Sequence, residues 1–475
     1  MPACWTTRKA TKPLPRAQRA AHRTHPHPTS GRAGGFCHVL GSIGQVKEAQ
    51  DSQDNSTAAR STPRPRRILV GVGGGIAAYK ACHLIRDFKE HGDEVRVVPT
   101  ASALNFVGAA TFEALSGQPV STTVFDAVDE VQHVALGQQA DAIVIAPATA
   151  DLMARLAAGR ADDLLTASVL VATCPVIVVP AMHTEMWLNP ATQDNVATLR
   201  RRGVTVIEPA HGRLTGKDSG PGRLPEPGQI AEVARTVIAG HPVPFDWQGK
   251  KVVVSAGGTQ ENLDPVRYLG NRSSGRQGFA LAEIAAQRGA HVTIVAGNTE
   301  DLPCPSGASV VRVTSTRDME EAMNATAADA DVVIMAAAVS DYRPASVAES
   351  KMKKGEADAD LAHLELVENP DILKGLVARR DRGVVKRDAV IVGFAAETGD
   401  AETSVLEYAQ QKFAKKGCDL LMANEVGEGK VFGQPTSAGW ILRRDAEPME
   451  VAPGSKQVVA AQILQAVNEI LTGNE

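Results

Sequence analysis

A chain of 475 residues with a net charge of −4 and 4% aromatic side chains offers neither the basic surface nor the stacking platform of a nucleic-acid binder. Its length leaves room for about three domains at ~150 residues each. Six scattered cysteines without a CxxC pair, and no apolar run near the ~18 residues of a membrane span, point to a reduced, cytoplasmic protein without zinc site or disulfide framework.

Residues 1–66 are rich in Arg, His, Pro, Ser and Thr, with no acidic residue before Glu48. They hold too little apolar surface to offset the entropy of ordering. The segment reads as a disordered extension or an over-long start. A basic, acid-poor leader is also transit-peptide-like, but no convincing amphipathic helix supports targeting. Order begins at Arg67. Ile68–Val72 predicts a strand, Gly73-Gly74-Gly75 a turn, and Ile76–His91 an amphipathic helix. Val95–Val98 is a second strand, ending at Pro99-Thr100, and a helix follows around Phe106–Leu115. Ala142–Pro147 and Val176–Met182 are further apolar strands. Strands alternating with helices indicate a parallel, doubly wound α/β sheet that binds ligands at the carboxyl ends of its strands. The Gly- and Pro-loaded stretch His211–Pro227 reads as a long loop, a class of segment that tends to be functional.

Pro242–Gly249 reads as a linker, after which the alternation restarts at Val252–Val254, Val292–Val295, Val310–Val313, Val332–Met335, Val390–Phe394 and Leu420–Met422. Two α/β domains in series are therefore expected, 67–249 and 250–475. The second opens on a strand, Gly257-Gly258-Thr259, a polar loop carrying Arg267, Asn271, Arg272, Ser273 and Ser274, and a helix over Gly275–Arg288. Strand, glycine turn and helix N-terminus together make a phosphate-ready unit.

A glycine-rich turn alone is a weak signal. For Gly73–Ile76, a dinucleotide site would need G-x-G-x-x-G and an acid at the end of the second strand, which here ends Pro99-Thr100. A single phosphate on the helix N-terminus, as in a mononucleotide flavin, fits better; a merely tight turn is the plain alternative. His133 precedes an apolar strand, and His183 follows Pro180-Ala-Met at a strand's carboxyl end. Taken singly, such a histidine is more often structural, and Met182 and Met186 more often core.

Several motifs in one order say more. Gly74-Gly-Ile-Ala-Ala-Tyr-Lys80, His133-Val-Ala-Leu-Gly, Ala146-Pro-Ala-Thr-Ala-Asp151, Gly159-Arg-Ala-Asp-Asp-Leu-Leu165, Pro180-Ala-Met-His-Thr-Glu-Met-Trp187 and Gly216–Leu224 resemble the flavin-dependent cysteine decarboxylases. Asp264–Arg276, Ala337-Ala-Val-Ser-Asp-Tyr-Arg343, Lys351-Met-Lys-Lys354, Asn369-Pro-Asp-Ile-Leu373, Gly393–Thr398 and Met422-Ala-Asn-Glu425 resemble the phosphopantothenate–cysteine ligases. Together, from residue 67 to about 470, the chain is similar to the bifunctional coenzyme A biosynthesis family.

The resemblance implies a flavodoxin-like, FMN-binding domain followed by a Rossmann-like ligase domain. In the first, a cysteine CH2–SH is oxidised to a thioaldehyde, so that the electrons left by CO2 have a C=S to enter; the enethiolate is then reduced to 4'-phosphopantetheine. By family position, Gly74, Gly75, Ile76, Thr100, Thr149 and Ala150 contact FMN, and His133 is the essential base or proton shuttle, a role its near-neutral pKa suits. In the second, the carboxylate of 4'-phosphopantothenate is activated by CTP as an acyl-CMP, which the cysteine amine then opens. Met335, Ala336, Ala337, Asp341, Lys351, Pro370, Asp371, Ile372, Leu373, Phe394, Lys412 and Lys416 map to the CTP site. Asp341 is also the candidate Mg2+ ligand, and Arg267 and Asn271 act on the acyl intermediate. Without the resemblance, each lysine would read as a solvated surface charge. Trimers of the flavin domain and dimers of the ligase domain imply a dodecamer.

Two positions depart from the family pattern. His183 stands where Asn is usual, and an imidazole can still hydrogen-bond the substrate carboxylate. Leu214-Thr215-Gly216 stands where the proton-donating cysteine is usual, and a threonine hydroxyl is too weak an acid to replace a thiol. Thr215 would have to order a water, or a group such as His183 would have to donate. The alternative is a flavin-binding regulatory subunit with an impaired decarboxylase half; a nicotinamide dehydrogenase is opposed by the missing acid.

Overall fold

Strands buried on both faces of a parallel sheet need near-continuous apolar runs, and the first half supplies five. They are β1 (Arg67–Val72), β2 (Glu94–Pro99), β3 (Ala142–Ala148), β4 (Val176–Pro180) and β5 (Thr205–Val206). The structure is a computed structural model and describes residues 64–123, 131–213, 219–352, 363–398, 403–425, 436–444 and 446–473. The five strands are all parallel, in the order β2-β1-β3-β4-β5. That is the flavodoxin-like order, with its reversal between β1 and β3.

Helices α1 (Ala78–Glu90), α2 (Ala109–Ser116), α3 (Gln132–Gln139), α4 (Ala150–Ala157), α5 (Leu164–Leu170), α6 (Thr184–Trp187) and α7 (Pro190–Arg201) accompany the sheet. In α1, Ala78, Ala81, Leu84, Ile85 and Phe88 are buried, the i, i+3, i+7 stripe of an amphipathic helix. Thr149 caps α4 by accepting from the Leu152 amide, and Asp163 caps α5 through a capping box with Thr166.

The Gly- and Pro-rich stretch expected as a long loop is in part an antiparallel hairpin, β6 (Ala210–Arg213) and β7 (Ser219–Arg223). Its glycines conceal it from a period-2 reading, yet they let it lie against the end of β4: a Cβ on Gly222 would meet the Met182 carbonyl at 2.3 Å. The chain then forms α8 (Pro227–Ile238).

The second sheet gathers β8 (Lys251–Ala256), β11 (His291–Ala296), β12 (Ala308–Arg312), β13 (Val332–Met335), β16 (Val390–Glu397), β17 (Leu420–Glu425), β18 (Thr436–Arg443) and β19 (Met449–Ser455). Two short ribbons stand beside it, β9 (Gln260–Asn262) with β10 (Tyr268–Gly270), and β14 (Tyr342–Pro344) with β15 (Leu366–Glu368). The sheet order is β12-β11-β8-β13-β16-β17-β18-β19. Its first six strands are parallel in Rossmann order, reversing between β8 and β13. The antiparallel β18 and β19 extend it beyond the expected doubly wound sheet. Helices α9 (Arg276–Gln287), α10 (Thr316–Thr326), α11 (Ile372–Asp381), α12 (Val405–Lys416) and α13 (Lys456–Gly473) complete this half.

The segment expected as a linker is locked in place. Trp247 is buried, its indole N–H donates to Asn468 Oδ1 at 2.7 Å, and the Arg288 guanidinium stacks 4.6 Å from its ring centre. Arg200, from the first half, stacks 3.5 Å above Phe245. One apolar cluster runs from Ile68 through Trp247 to Val467, so the core is continuous across both sheets.

Candidate active sites at two sheet reversals

At the first reversal, Gly73 donates to the Pro147 carbonyl at 2.8 Å, tying the exits of β1 and β3 together. A Cβ on Gly73 would lie 2.5 Å from that oxygen, and one on Gly74 2.3 Å from Ser102 Cβ. Gly75 differs: its nearest neighbour would be Thr149 Cγ2 at 3.8 Å, leaving open space above the turn. The amides of Gly74, Gly75, Ile76 and Ala150 find no acceptor among the described residues. Two helix starts with unspent N–H groups suit an anion such as a phosphate. Thr100 is committed elsewhere: its buried hydroxyl donates to the Val72 carbonyl and accepts from the Ala103 amide. It shapes the turn after β2.

His133 lies in the first turn of α3. The other end of that helix, at Leu136, Gln139 and Ala140, lines a crevice with Arg67 and Ile68 at the amino ends of the strands. His133 therefore lies towards the carboxyl-end side, where ligands bind. Its Nδ1 is buried without a partner among the described residues. His183 is exposed between β4 and α6, and Thr184 beside it donates to the Pro221 carbonyl of the hairpin at 2.8 Å. Thr215 lies outside the described residues.

At the second reversal the glycine turn is closed. Gly258 donates to Asn298 O at 2.9 Å and accepts from the Asn298 amide at 2.8 Å, while Ala338 donates to Gly257 O at 2.8 Å. A Cβ on Gly257 (φ +78°) would meet Asn298 O at 2.3 Å, and one on Gly258 would meet Asn271 O at 2.6 Å. The phosphate-ready unit read from the sequence thus holds the protein's own backbone at its glycines. A buried network behind them links Thr259, Glu261, Thr316, Ser340 and Asn369: Thr316 Oγ1 donates to Glu261 Oε1 at 2.7 Å, and Asn369 Nδ2 to Ser340 O at 2.9 Å. It fixes the loops bearing Asp341 and Pro370.

Next to this turn opens a cleft of about 630 Å3. Its walls include Asn271, Met335, Ala336, Ala337, Asp341, Pro370, Asp371, Ile372, Leu373, Phe394, Lys412 and Lys416, which come from five separated stretches of sequence. Asn271 Nδ2 donates to Val339 O at 3.0 Å. Lys412 pairs with Glu397 at 2.9 Å and Lys416 with Asp371 at 2.7 Å. Burial pushes the Asp371 carboxyl up, but its hydrogen bonds from Lys416 and the Lys374 amide outweigh this and hold it below the usual range.

Arg267 and Lys351 do not line the cleft. Arg267 Nη2 donates to Met352 O at 3.0 Å, so the two lie together at the edge of residues 353–362, outside the described set. Asp264 organises that corner by accepting from the amides of Val266, Arg267 and Met352. Burial opposes its ionisation, and those three N–H groups reverse the effect, keeping its pKa low. Arg276 and Asn424, which stand in the ligase-like motifs without an expected role, and Lys456, which stands outside them, also line the cleft. Lys456 carried no local signal, standing alone at the start of the last helix.

Asp341 is exposed and lines the cleft, as do Glu368 and the lysine-paired Asp371. Among the described residues no cluster of three His, Cys, Asp or Glu could hold a metal. One carboxylate beside a polyphosphate fits Mg2+, which keeps several waters and takes few protein ligands. No helix of the described residues is long and apolar enough to cross a membrane.

Residues 56–239 match the family described as Flavoprotein, and residues 247–471 the DNA/pantothenate metabolism flavoprotein C-terminal domain. The Coenzyme A biosynthesis bifunctional protein CoaBC of Mycobacterium tuberculosis strain H37Rv is 56% identical over 410 residues, 86% of this chain and 98% of that protein. The chain belongs to the bifunctional coenzyme A biosynthesis family. The protein of the same name from Vibrio vulnificus strain CMCP6 is 43% identical over 412 residues, 86% of this chain and 98% of its own. Among solved structures, the C-terminal domain of a CoaBC protein is 36% identical, covering 48% of this chain and 97% of that one with a TM-score of 0.38. The FMN binding protein AtHal3 is 33% identical, covering 37% and 97%, with a TM-score of 0.34. As a family member the chain is a bifunctional enzyme, a phosphopantothenoylcysteine decarboxylase joined to a phosphopantothenate–cysteine ligase.

Proposed function

We propose that the first reversal binds FMN and the cleft at the second binds CTP, so that one chain makes 4'-phosphopantothenoylcysteine and then decarboxylates it to 4'-phosphopantetheine. The convergence of twelve expected site residues from five stretches on one cleft carries the ligase reading. The open space over Gly75 and its unspent amides support a flavin phosphate there. Bound FMN would supply the oxidation of the cysteine CH2–SH and its later reversal. The protein's share is to hold and to move protons. His133, with a buried ring nitrogen that has no partner among the described residues, is suited to shuttle a proton at the thiol. The exposed His183 is suited to anchor the substrate carboxylate.

In the cleft, the phosphopantothenate carboxylate attacks the α-phosphate of CTP, forming an acyl-CMP and releasing pyrophosphate. The cysteine amine then attacks the acyl carbon, CMP leaves, and the amine loses a proton. Lys412 and Lys416 would exchange Glu397 and Asp371 for phosphate oxygens, contacts worth about 1.5–3 kcal/mol each. Lys351 would join them as a further contact to the triphosphate. Asp341 would carry Mg2+, and Asn271 would act on the acyl-phosphate with Arg267 towards the phosphopantothenate end. Exposed Ile76, Tyr79 and Phe106 near the flavin reversal support a face covered by another copy, as a dodecamer would require.

The purified protein should be yellow, with a flavin spectrum. It should release pyrophosphate only when CTP, 4'-phosphopantothenate and cysteine are present together. Pyrophosphate release without cysteine-dependent amide formation would refute the ligase assignment. Flavin without turnover would favour the regulatory subunit.

A further inference from the structure

The cleft carries a cation that none of these roles uses. Lys456 begins α13, lines the cleft and is only 8% exposed. No carboxylate or hydrogen-bond acceptor meets its ammonium among the described residues. Of the other cations lining the cleft, Lys412 is matched by Glu397, Lys416 by Asp371 and Arg276 by Glu300 at 2.7 Å, while Arg272 is exposed to solvent. Burial first, and then the charge of Arg276, lower the Lys456 pKa to about 8. Gln277 Nε2 donates to the Lys456 carbonyl at 3.3 Å, so the first turns of α9 and α13 are tied side by side. In α9, the amides of Arg276, Gln277 and Gly278 find no acceptor among the described residues. A lysine so largely buried and without a counter-ion is costly to charge, and a helix N-terminus adds partial positive charge beside it. Two independent features thus ask for an anion at one place.

Resting on the ligase reading above, we propose that Lys456 and the N-terminus of α9 form a subsite for the terminal phosphates of the nucleotide, and for the pyrophosphate they become. The phosphate of 4'-phosphopantothenate shares this chemistry. The polyphosphate is favoured because Lys456 shares the cleft with Lys412 and Lys416, whereas Arg267, assigned to the phosphopantothenate end, lies outside its walls.

The test uses the full-length protein, with CTP and 4'-phosphopantothenate varied in turn and inorganic pyrophosphate titrated directly. Lys456→Met should raise the KM for CTP and weaken pyrophosphate binding by about tenfold to a hundredfold, the range of one charge-assisted contact. The KM for 4'-phosphopantothenate, the flavin spectrum and decarboxylation should stay as in the wild type, and Lys456→Arg should recover part of the loss. Unchanged CTP and pyrophosphate affinities would overturn the proposal, as would a shift confined to 4'-phosphopantothenate. If wild-type protein makes no amide from CTP, the ligase reading falls, while the pyrophosphate titration still judges Lys456. Should Lys456→Met fail to fold, hydrogen exchange of the wild type decides: pyrophosphate must protect the first turns of α9 and α13, and no protection overturns the subsite.

Discussion

Gly73–Gly75 and Gly257–Gly258 each follow the first strand of a parallel sheet, where the strand order reverses. At the first turn, Gly75 faces open space and the amides around it are unspent. At the second, both glycines press on carbonyl oxygens of Asn298 and Asn271, and their backbone groups are bonded to Asn298 and Ala338, just past the ends of β11 and β13. A missing Cβ makes room, but the sequence does not say for what. In the first half it leaves open space beside unspent amides, where the flavin phosphate is proposed to sit. In the second it lets the chain after β8, the Asn298 turn and the Asn271 loop pack together, while the lysines line the cleft beside them.

The comparison breaks most readily through the residues that belong to one site alone. His133→Asn should lower decarboxylation by about 10²–10⁴-fold, the usual range for a general base, and leave pyrophosphate release unchanged. Stopped-flow flavin absorbance with the cysteine adduct would show the loss in the oxidation step; normal bleaching would remove His133 from the chemistry. Asn271→Asp is the mirror test. It places a carboxylate where an acyl-phosphate is to lie, and should slow amide formation by about 100-fold without altering the flavin half. Unchanged CTP-dependent amide formation would rule out its role.

What was legible follows from how each feature is written in the chain. Buried parallel strands are written as apolar runs, so β1 to β4 and the six parallel strands of the second sheet could be read directly. The hairpin β6–β7 has Gly and Pro where alternation would be sought, and β18–β19 continue a sheet whose parallel pattern gives no notice of them. Pro242–Gly249 has linker composition, yet Trp247 and Phe245 are held by arginines 41 and 45 positions away in sequence, Arg288 and Arg200. The cleft residues were reached through family resemblance. Their carboxylate partners, Glu397 for Lys412 and Asp371 for Lys416, and the isolated Lys456 depend on tertiary contact that no local pattern encodes.

The two sites also share a joint that pH should loosen. Glu283 on α9 is fully buried and accepts from Gln229 Nε2 of α8 at 2.9 Å and from Gln287 Nε2 at 3.0 Å. Burial raises its pKa to about 7, against those hydrogen bonds. A carboxyl whose folded pKa is raised contributes stability below its unfolded pKa of about 4.5, and that contribution fades as pH rises through about 7. The full effect is at most about 3 kcal/mol. Urea unfolding at pH 5.5 and pH 8 should therefore show a loss in the wild type that Glu283→Gln reduces by about 1–2 kcal/mol. Equal pH dependence in both proteins would mean that Glu283 titrates normally.

The smallest expected effect goes to the glycines themselves. Gly258→Ala puts a methyl 2.6 Å from Asn271 O, and overpacking of this kind costs about 1–3 kcal/mol. Because the group displaced belongs to Asn271, ligase turnover should fall along with stability, and the flavin should remain bound. Gly75→Ala meets nothing closer than 3.8 Å, so its thermal midpoint should hold while its flavin leaves more readily, read as free flavin after gel filtration. The pairing is the informative part. If Gly75→Ala destabilises the fold and retains flavin, or Gly258→Ala is silent in both assays, then the open and closed turns have been assigned the wrong way round.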